Sequence, residues 1–197
     1  INKSYKNKVL NILKSITTPK ALERLFVEII GNGTDSFRKA RLNGIPTGQI
    51  TILMDNEIIS VETEGLPIPI APHPEMCQYG QFGTRIDLIF RVMGLGSNLR
   101  DNFKRTSGGV NGVGSKLTNI HSRYFEVESG DNIRGVHQKV IWIKNMTVKA
   151  SSVCTPPYVV QGNQWVLNGP VYTGKNFVKV TWKQDFRQLA CSQYTQD

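Results

Sequence analysis

Ser107-Gly-Gly-Val-Asn-Gly-Val-Gly-Ser-Lys-Leu-Thr-Asn119 is the stretch from which the rest of this 197-residue chain is best read. Its glycines Gly108, Gly109, Gly112 and Gly114 run into a segment, Val113 to Ser122, with helical character. Glycine leaves backbone N–H groups unobstructed, and a helix start adds partial positive charge, so such a stretch can cradle a phosphate. Two familiar phosphate loops do not fit. A Walker A loop needs lysine directly after its last glycine, but Ser115 separates Gly114 from Lys116; a GxGxxG loop would need glycine at Leu117 and a strand just before. Glycine richness alone marks no more than a flexible loop, so its neighbours decide its meaning.

Upstream, Thr18 to Arg41 carries the clearest helical pattern. Thr18 suits an N-cap, Pro19 suits the first turn, and Leu22, Leu25, Phe26, Ile29 and Ile30 recur at helical spacing. Glu28, Asn32 and Asp35, at i, i+4 and i+7, line one face of this otherwise apolar helix. Gly31 and Gly33 interrupt the same turns at about 1 kcal/mol each, which predicts a close approach to the backbone there. A carboxylate one turn from an amide suits metal-assisted phosphate chemistry, with Glu28 to orient and deprotonate water and the Asn32 oxygen to ligate Mg²⁺; an exposed polar face is the plainer alternative.

Between the two segments, Gln49 to Met54 and Glu57 to Glu62 are β-rich and separated by Asp55-Asn56, which predicts an antiparallel hairpin. Pro67, Pro69, Pro72 and Pro74 deny regular structure to Leu66 through Glu75. Thr84 to Met93 reads as a short helix, and Gly94 to Gly109 as a mobile segment. Strand patterns follow at Tyr124 to Glu128, Val136 to Ile143, Trp165 to Leu167 and Val178 to Lys183. Helices and a hairpin followed mostly by strands predict an α+β fold, a two-layer sandwich with a mixed, mostly antiparallel sheet and helices on one face, in a single domain over 1–197.

Composition excludes several classes. With 39% hydrophobic and 20% charged residues and a mean hydropathy of −0.27, the chain lies far from the signature of disorder. No apolar run approaches the roughly 20 residues that span a bilayer, and the lysines near the start are not followed by a signal-peptide core, so an intracellular protein without membrane contact is expected. Cys77, Cys154 and Cys191 are odd in number and lack metal-ligand spacing, so they read as reduced thiols. The net charge of +9, with basic groups at Arg38, Lys39, Arg41 and at Arg100, Lys104, Arg105, is compatible with a polyanionic partner or with a solvated basic surface.

Taken together and in this order, the two constellations resemble the ATP-binding domain of the GHKL (Bergerat) superfamily, and specifically that of type II DNA topoisomerases. Val27-Glu-Ile-Ile-Gly-Asn-Gly-Thr-Asp35 is similar to the family's DEIxxNxxD helix, and Ser107 to Asn119 to its GGxNGxGxxLxN loop. Ile120, Ser122, Phe125, Glu128 and Gly130 fall in place as well, and the likeness is nearest to the large subunit of bacteriophage topoisomerases, with the Lys116 position shared by eukaryotic enzymes. It runs from about Leu22 to Phe186. The resemblance implies ATP and Mg²⁺ as cofactors, Glu28 as general base, Asn32 as metal ligand, and Gly109, Asn111, Gly112, Val113, Gly114, Ser115 and Lys116 as triphosphate contacts, with Lys116 also stabilising developing charge. It further implies that Asp35, Thr63, Gly65 and Ile68 contact the nucleotide and that Ser97 and Asn98 meet it from a lid. As partners it implies DNA, through a full enzyme, and a homodimer or multi-subunit assembly. Because the family continues into transducer, metal-binding and cleavage domains, and uses a transducer lysine in hydrolysis, the chain is expected to be a fragment with low activity alone.

The base-reading side departs from the family pattern. The family's DxGxG turn stands here as Thr63-Glu-Gly-Leu-Pro67: threonine replaces the adenine-reading aspartate and Pro67 a glycine. Phe177-Val178 aligns with a Gly-Thr pair whose hydroxyl assists the same contact. Glu64 is shifted by one residue, which in an extended segment turns it to the opposite face. Altered nucleotide contacts, another nucleotide or polyphosphate, and a degenerate non-catalytic basic domain used for dimerisation or DNA contact all remain compatible with these residues.

Overall fold

The computed structural model describes residues 20–55, 57–74, 76–77, 83–92 and 113–189. Helix α1 spans Lys20–Leu42 and is followed by the hairpin β1 (Ile50–Met54) and β2 (Ile58–Glu64). Two short helices, α2 (Arg85–Arg91) and α3 (Gly114–Ile120), precede β3 (Ser122–Asp131), β4 (Val136–Ile143) and β5 (Val148–Thr155). A small hairpin, β6 (Tyr158–Gln161) with β7 (Gln164–Leu167), leads to β8 (Phe177–Gln184) and a 3₁₀ turn at Phe186–Gln188.

Six strands form one sheet in the order β1-β2-β8-β3-β4-β5, each neighbouring pair antiparallel. The last strand of the sequence lies at its centre, between β2 and β3. The α+β layering expected from the sequence is present. Alternation sets the two faces: Ile59 and Val61 of β2, Phe125 and Val127 of β3, Val140 and Trp142 of β4, and Val180 and Trp182 of β8 join one core with Ile29 of α1 and Ile86 and Phe90 of α2. The opposite parity carries Glu62, Lys179, Glu128 and Lys139 at paired positions across four adjacent strands, a row of alternating charge that keeps this face wet.

The helix ends follow local chemistry. Thr84 caps α2 with a capping box in which its hydroxyl accepts from Ile86 N and Asp87 accepts from Thr84 N. The proposed start of α1 at Thr18 and Pro19, the glycine-rich segment 94–109 and Cys191 lie outside the described residues. The thiols of Cys77 and Cys154 are free, and burial pushes the Cys154 thiol up to about 12.

Sequence reading missed β5 and β6. In β5, Val148-Lys-Ala-Ser-Ser-Val-Cys-Thr155, small and polar residues replace the β-branched alternation of a half-buried strand, and β5 is an edge strand. Its place comes from pairing with β4, from His137↔Thr155 to Ile143↔Val148.

The expectation for the helix glycines is half met. Gly33 is approached closely: an added Cβ would stand 2.6 Å from Thr63 Oγ1, so α1 and β2 meet through the missing side chain. At Gly31 nothing lies within 4 Å. Gly31→Ala is therefore expected to stabilise the fold by about 1 kcal/mol through helix propensity. Gly33→Ala gains the same but meets an overpacking cost of about 1–3 kcal/mol, leaving it neutral or destabilising. Thermal unfolding of the two variants checks this, and equal stabilisation would show that Thr63 does not stand against α1. Phe125, fully buried between Phe90 and Trp142, gives a second test: Phe125→Ala should cost about 3–5 kcal/mol in urea unfolding with the m-value unchanged.

Candidate active site

The short helix α3 is held from inside the protein. Thr118, fully buried, donates from Oγ1 to Leu25 O of α1 at 3.2 Å, and Asn119, equally buried, donates from Nδ2 to Phe90 O of α2 at 3.1 Å. Ser122 Oγ donates back to Thr118 O at 2.6 Å. A seven-residue helix has little stability of its own, so these bonds in a dry interior fix its position. Thr118 and Asn119 end the Ser107–Asn119 motif, and their role is structural: they aim Gly114, Ser115 and Lys116.

The first turn of α3 abuts the polar stripe of α1. An added Cβ at Gly114 would collide with the Glu28 carboxylate, so glycine is required there for the two segments to meet. Glu28 is mostly buried and accepts an ion pair from Arg24 Nη2, one turn earlier on α1, at 2.6 Å. The N-cap position of α3, Val113, offers no side-chain acceptor, so the first N–H groups of the helix are not capped by the residue before it.

Beyond this junction opens a cavity of about 340 Å³ between α1, the sheet and the 66–69 loop. Asn32, Asp35, Ser115 and Lys116 line it, as do Thr63 and Ile68, bringing six of the sequence-derived site residues to one place. Lys116 is 1% exposed, and its loss of hydration pulls the ammonium below the usual lysine range. A buried lysine lining a cavity together with an amide and a hydroxyl suits a multiply charged anion. Among the described residues no three His, Cys, Asp or Glu side chains gather as a metal cage, so a cation here takes most of its oxygens from its ligand and water, as Mg²⁺ commonly does with nucleotides.

Other predicted residues sit beside the cavity. Gly65 ends β2 at φ +144°, a conformation that favours glycine, and its N–H donates to Asn176 O at 3.0 Å. Val113 and Gly114 lie behind Ser115 at the helix start. Ser97, Asn98, Gly109, Asn111 and Gly112 lie outside the described residues.

The end of the cavity away from Glu28 is apolar: Val61, Leu66, Pro67, Ile68, Val178 and Val180 form it around Thr63. Val178 stands in the Phe177-Val178 pair already aligned from sequence with the family's base-contacting Gly-Thr; Val180 was not singled out, although strand parity places both on the face of Trp182. Phe177 takes the opposite face, where it packs against His137 and beneath Lys175 Nζ at 5.7 Å. Glu64 also points away, into a 2.6 Å ion pair with Lys175, so it does not replace the missing acidic group inside the cavity.

No protein-family model matches the chain. DNA topoisomerase 2 of Plasmodium falciparum is 32% identical over 195 residues, 98% of this chain and 12% of that protein. DNA topoisomerase 2 of Arabidopsis thaliana is 29% identical over 94% of the chain and 11% of its own length. The chain thus spans about an eighth of the curated relatives it matches. The ATPase region of Saccharomyces cerevisiae topoisomerase II superposes with a TM-score of 0.70 at 26% identity, over 89% of this chain and 41% of that one. These relatives are eukaryotic, so the nearer likeness to a bacteriophage subunit expected from the sequence is not what they show. Similarity of this extent in sequence, fold and order of elements makes the chain a homologue of the ATPase region of type II DNA topoisomerases.

Proposed function

We propose that this domain binds Mg-ATP in the cavity between α1 and α3 and hydrolyses it, as the nucleotide-driven gate of an enzyme that passes DNA strands. The observation that carries the reading is the meeting of Glu28 with Gly114, the chain neighbours of Ile29 and Ser115, which line the same cavity as Asn32 and Lys116. A carboxylate, an amide oxygen and a buried cation on two tethered helices are the groups that phosphoanhydride hydrolysis needs.

In this reading Lys116 and the first turn of α3 hold the triphosphate and offset charge as it develops on the transferred phosphoryl group. The Asn32 amide oxygen would hold Mg²⁺, which when bound would supply charge shielding of the phosphate oxygens. Glu28 accepts the proton of the attacking water. Its ion pair with Arg24 at 2.6 Å holds the carboxylate in place beside Gly114. Asp35 and Ile68 complete the nucleotide side of the cavity, and the family resemblance adds Ser97, Asn98, Gly109, Asn111 and Gly112 as further nucleotide contacts. DNA contact and pairing with a second subunit belong to the larger enzyme.

The apolar base end favours a second reading, a degenerate domain that keeps the fold for dimerisation or DNA contact. Calorimetry with Mg-ATP separates the two. Micromolar binding is expected, with Asn32→Ala weakening it at least tenfold when Mg²⁺ is present and little when Mg²⁺ is replaced by EDTA. Glu28→Gln should bind Mg-ATP within a few-fold of the parent while single-turnover hydrolysis falls by about 10²–10⁴. Absence of binding heat in the parent chain favours the degenerate domain.

A further inference from the structure

The polar groups lining the cavity are distributed unevenly along α1. Glu28 meets Gly114 at one end, and Ser36, two turns on, donates from Oγ to Leu66 O at 3.2 Å at the other. Eight residues of helix separate these contacts by about 12 Å along the axis. With the triphosphate at Lys116, the base therefore rests against Val61, Thr63, Leu66, Pro67 and Val178.

On this wall several backbone groups are already paired. Gly65 N donates to Asn176 O at 3.0 Å, Leu66 O accepts from Ser36, Ile68 N donates to Ser129 Oγ at 3.2 Å, and Ile70 N donates to Asp131 Oδ2 at 3.1 Å. Pro67 and Pro69 have no N–H to offer. Val178 and Val180 bring no polar atom, and Glu64 is turned outward to Lys175. Lys39 and Arg85 stand exposed at the rim, and Asp35, further back on α1, is engaged in an interaction of its own. Among the side chains of this wall what remains is the hydroxyl of Thr63, a residue 3% exposed, lining the cavity and without a hydrogen-bond partner among the described residues.

A hydroxyl donates or accepts with equal ease. A site rejects the wrong hydrogen-bonding edge by large factors only when its own buried groups have a fixed sign and are left unpaired by the wrong ligand. The 6-amino group of adenine presents a donor and the 6-oxo group of guanine an acceptor, and rotation about one Cβ–Oγ bond satisfies either. We infer that this cavity reads a purine by shape and stacking area rather than by hydrogen-bond sign, so that the domain takes adenine and guanine nucleoside triphosphates with similar affinity. This rests on the nucleotide-binding reading above and specifies its substrate class. Thr63 is then the position at which specificity can be installed.

The test is calorimetric titration of the 197-residue chain with Mg-ATP and with Mg-GTP, alongside Thr63→Val and Thr63→Asp variants. Dissociation constants for the two nucleotides within tenfold of each other are expected in the parent. Thr63→Val, which keeps the shape, should leave their ratio within about threefold of the parent value. Thr63→Asp, which supplies a fixed acceptor, should shift the ratio at least tenfold toward ATP. A preference of tenfold or more for either nucleotide in the parent overturns the inference and leaves nucleotide binding standing. An unchanged ratio in a folded Thr63→Asp chain also overturns it, because Thr63 would then not face the base. No binding of either nucleotide overturns both the inference and the reading on which it rests.

Discussion

Two buried hydrogen bonds hold the site together: Thr118 Oγ1 to Leu25 O and Asn119 Nδ2 to Phe90 O. A helix of seven residues cannot hold a position by itself, yet Gly114, Ser115 and Lys116 must be placed against Glu28 and Asn32 to within a fraction of an ångström for phosphate chemistry. Each bond ties α3 to the main chain of another helix rather than to a side chain, so the anchoring geometry is as rigid as α1 and α2 themselves. Both anchors are fully excluded from water, where an unmade bond would leave a buried polar group unpaired and shift the balance sharply against the fold.

The same economy of contact explains the glycines. Gly114 is glycine because Glu28 occupies the space a side chain would need, and Gly33 because Thr63 does. Both lie where α1 meets another element, Gly33 in the lining of the cavity and Gly114 next to the cavity residue Ser115. Close approach brings the Glu28 carboxylate against the start of α3 and sets Thr63 against α1. A helix interrupted by glycine loses intrinsic stability, and here the loss is offset by the core that Ile29, Phe90, Phe125, Trp142 and Trp182 form beneath it.

The cavity is asymmetric in the same way as the motifs. Asn32, Ser115 and Lys116 supply its polar lining, while Val61, Pro67, Val178 and Val180 around Thr63 supply an apolar one. Such a wall still buries a flat aromatic base, since apolar area supplies most of the favourable free energy for an aromatic ligand. What it surrenders is discrimination, which depends on groups that are left unpaired by the wrong partner.

By itself the sequence determined the local elements with strong periodicity: α1 from its apolar stripe, the β1–β2 hairpin, β4 to the residue, and the run of prolines that stays irregular. It also determined which residue types stand ready for phosphate chemistry, because Glu28, Asn32 and Asp35 share one helix face and Lys116 follows a glycine-rich run. Only the tertiary structure decided that β8 lies at the centre of the sheet, that β5 is a strand at all, and that Val178 rather than Phe177 faces the cavity. The reason is physical. Periodicity reports how a segment buries its own apolar face, whereas strand order, an edge strand's existence and the surroundings of a threonine hydroxyl depend on partners tens of residues away, and those are set by packing and pairing in three dimensions.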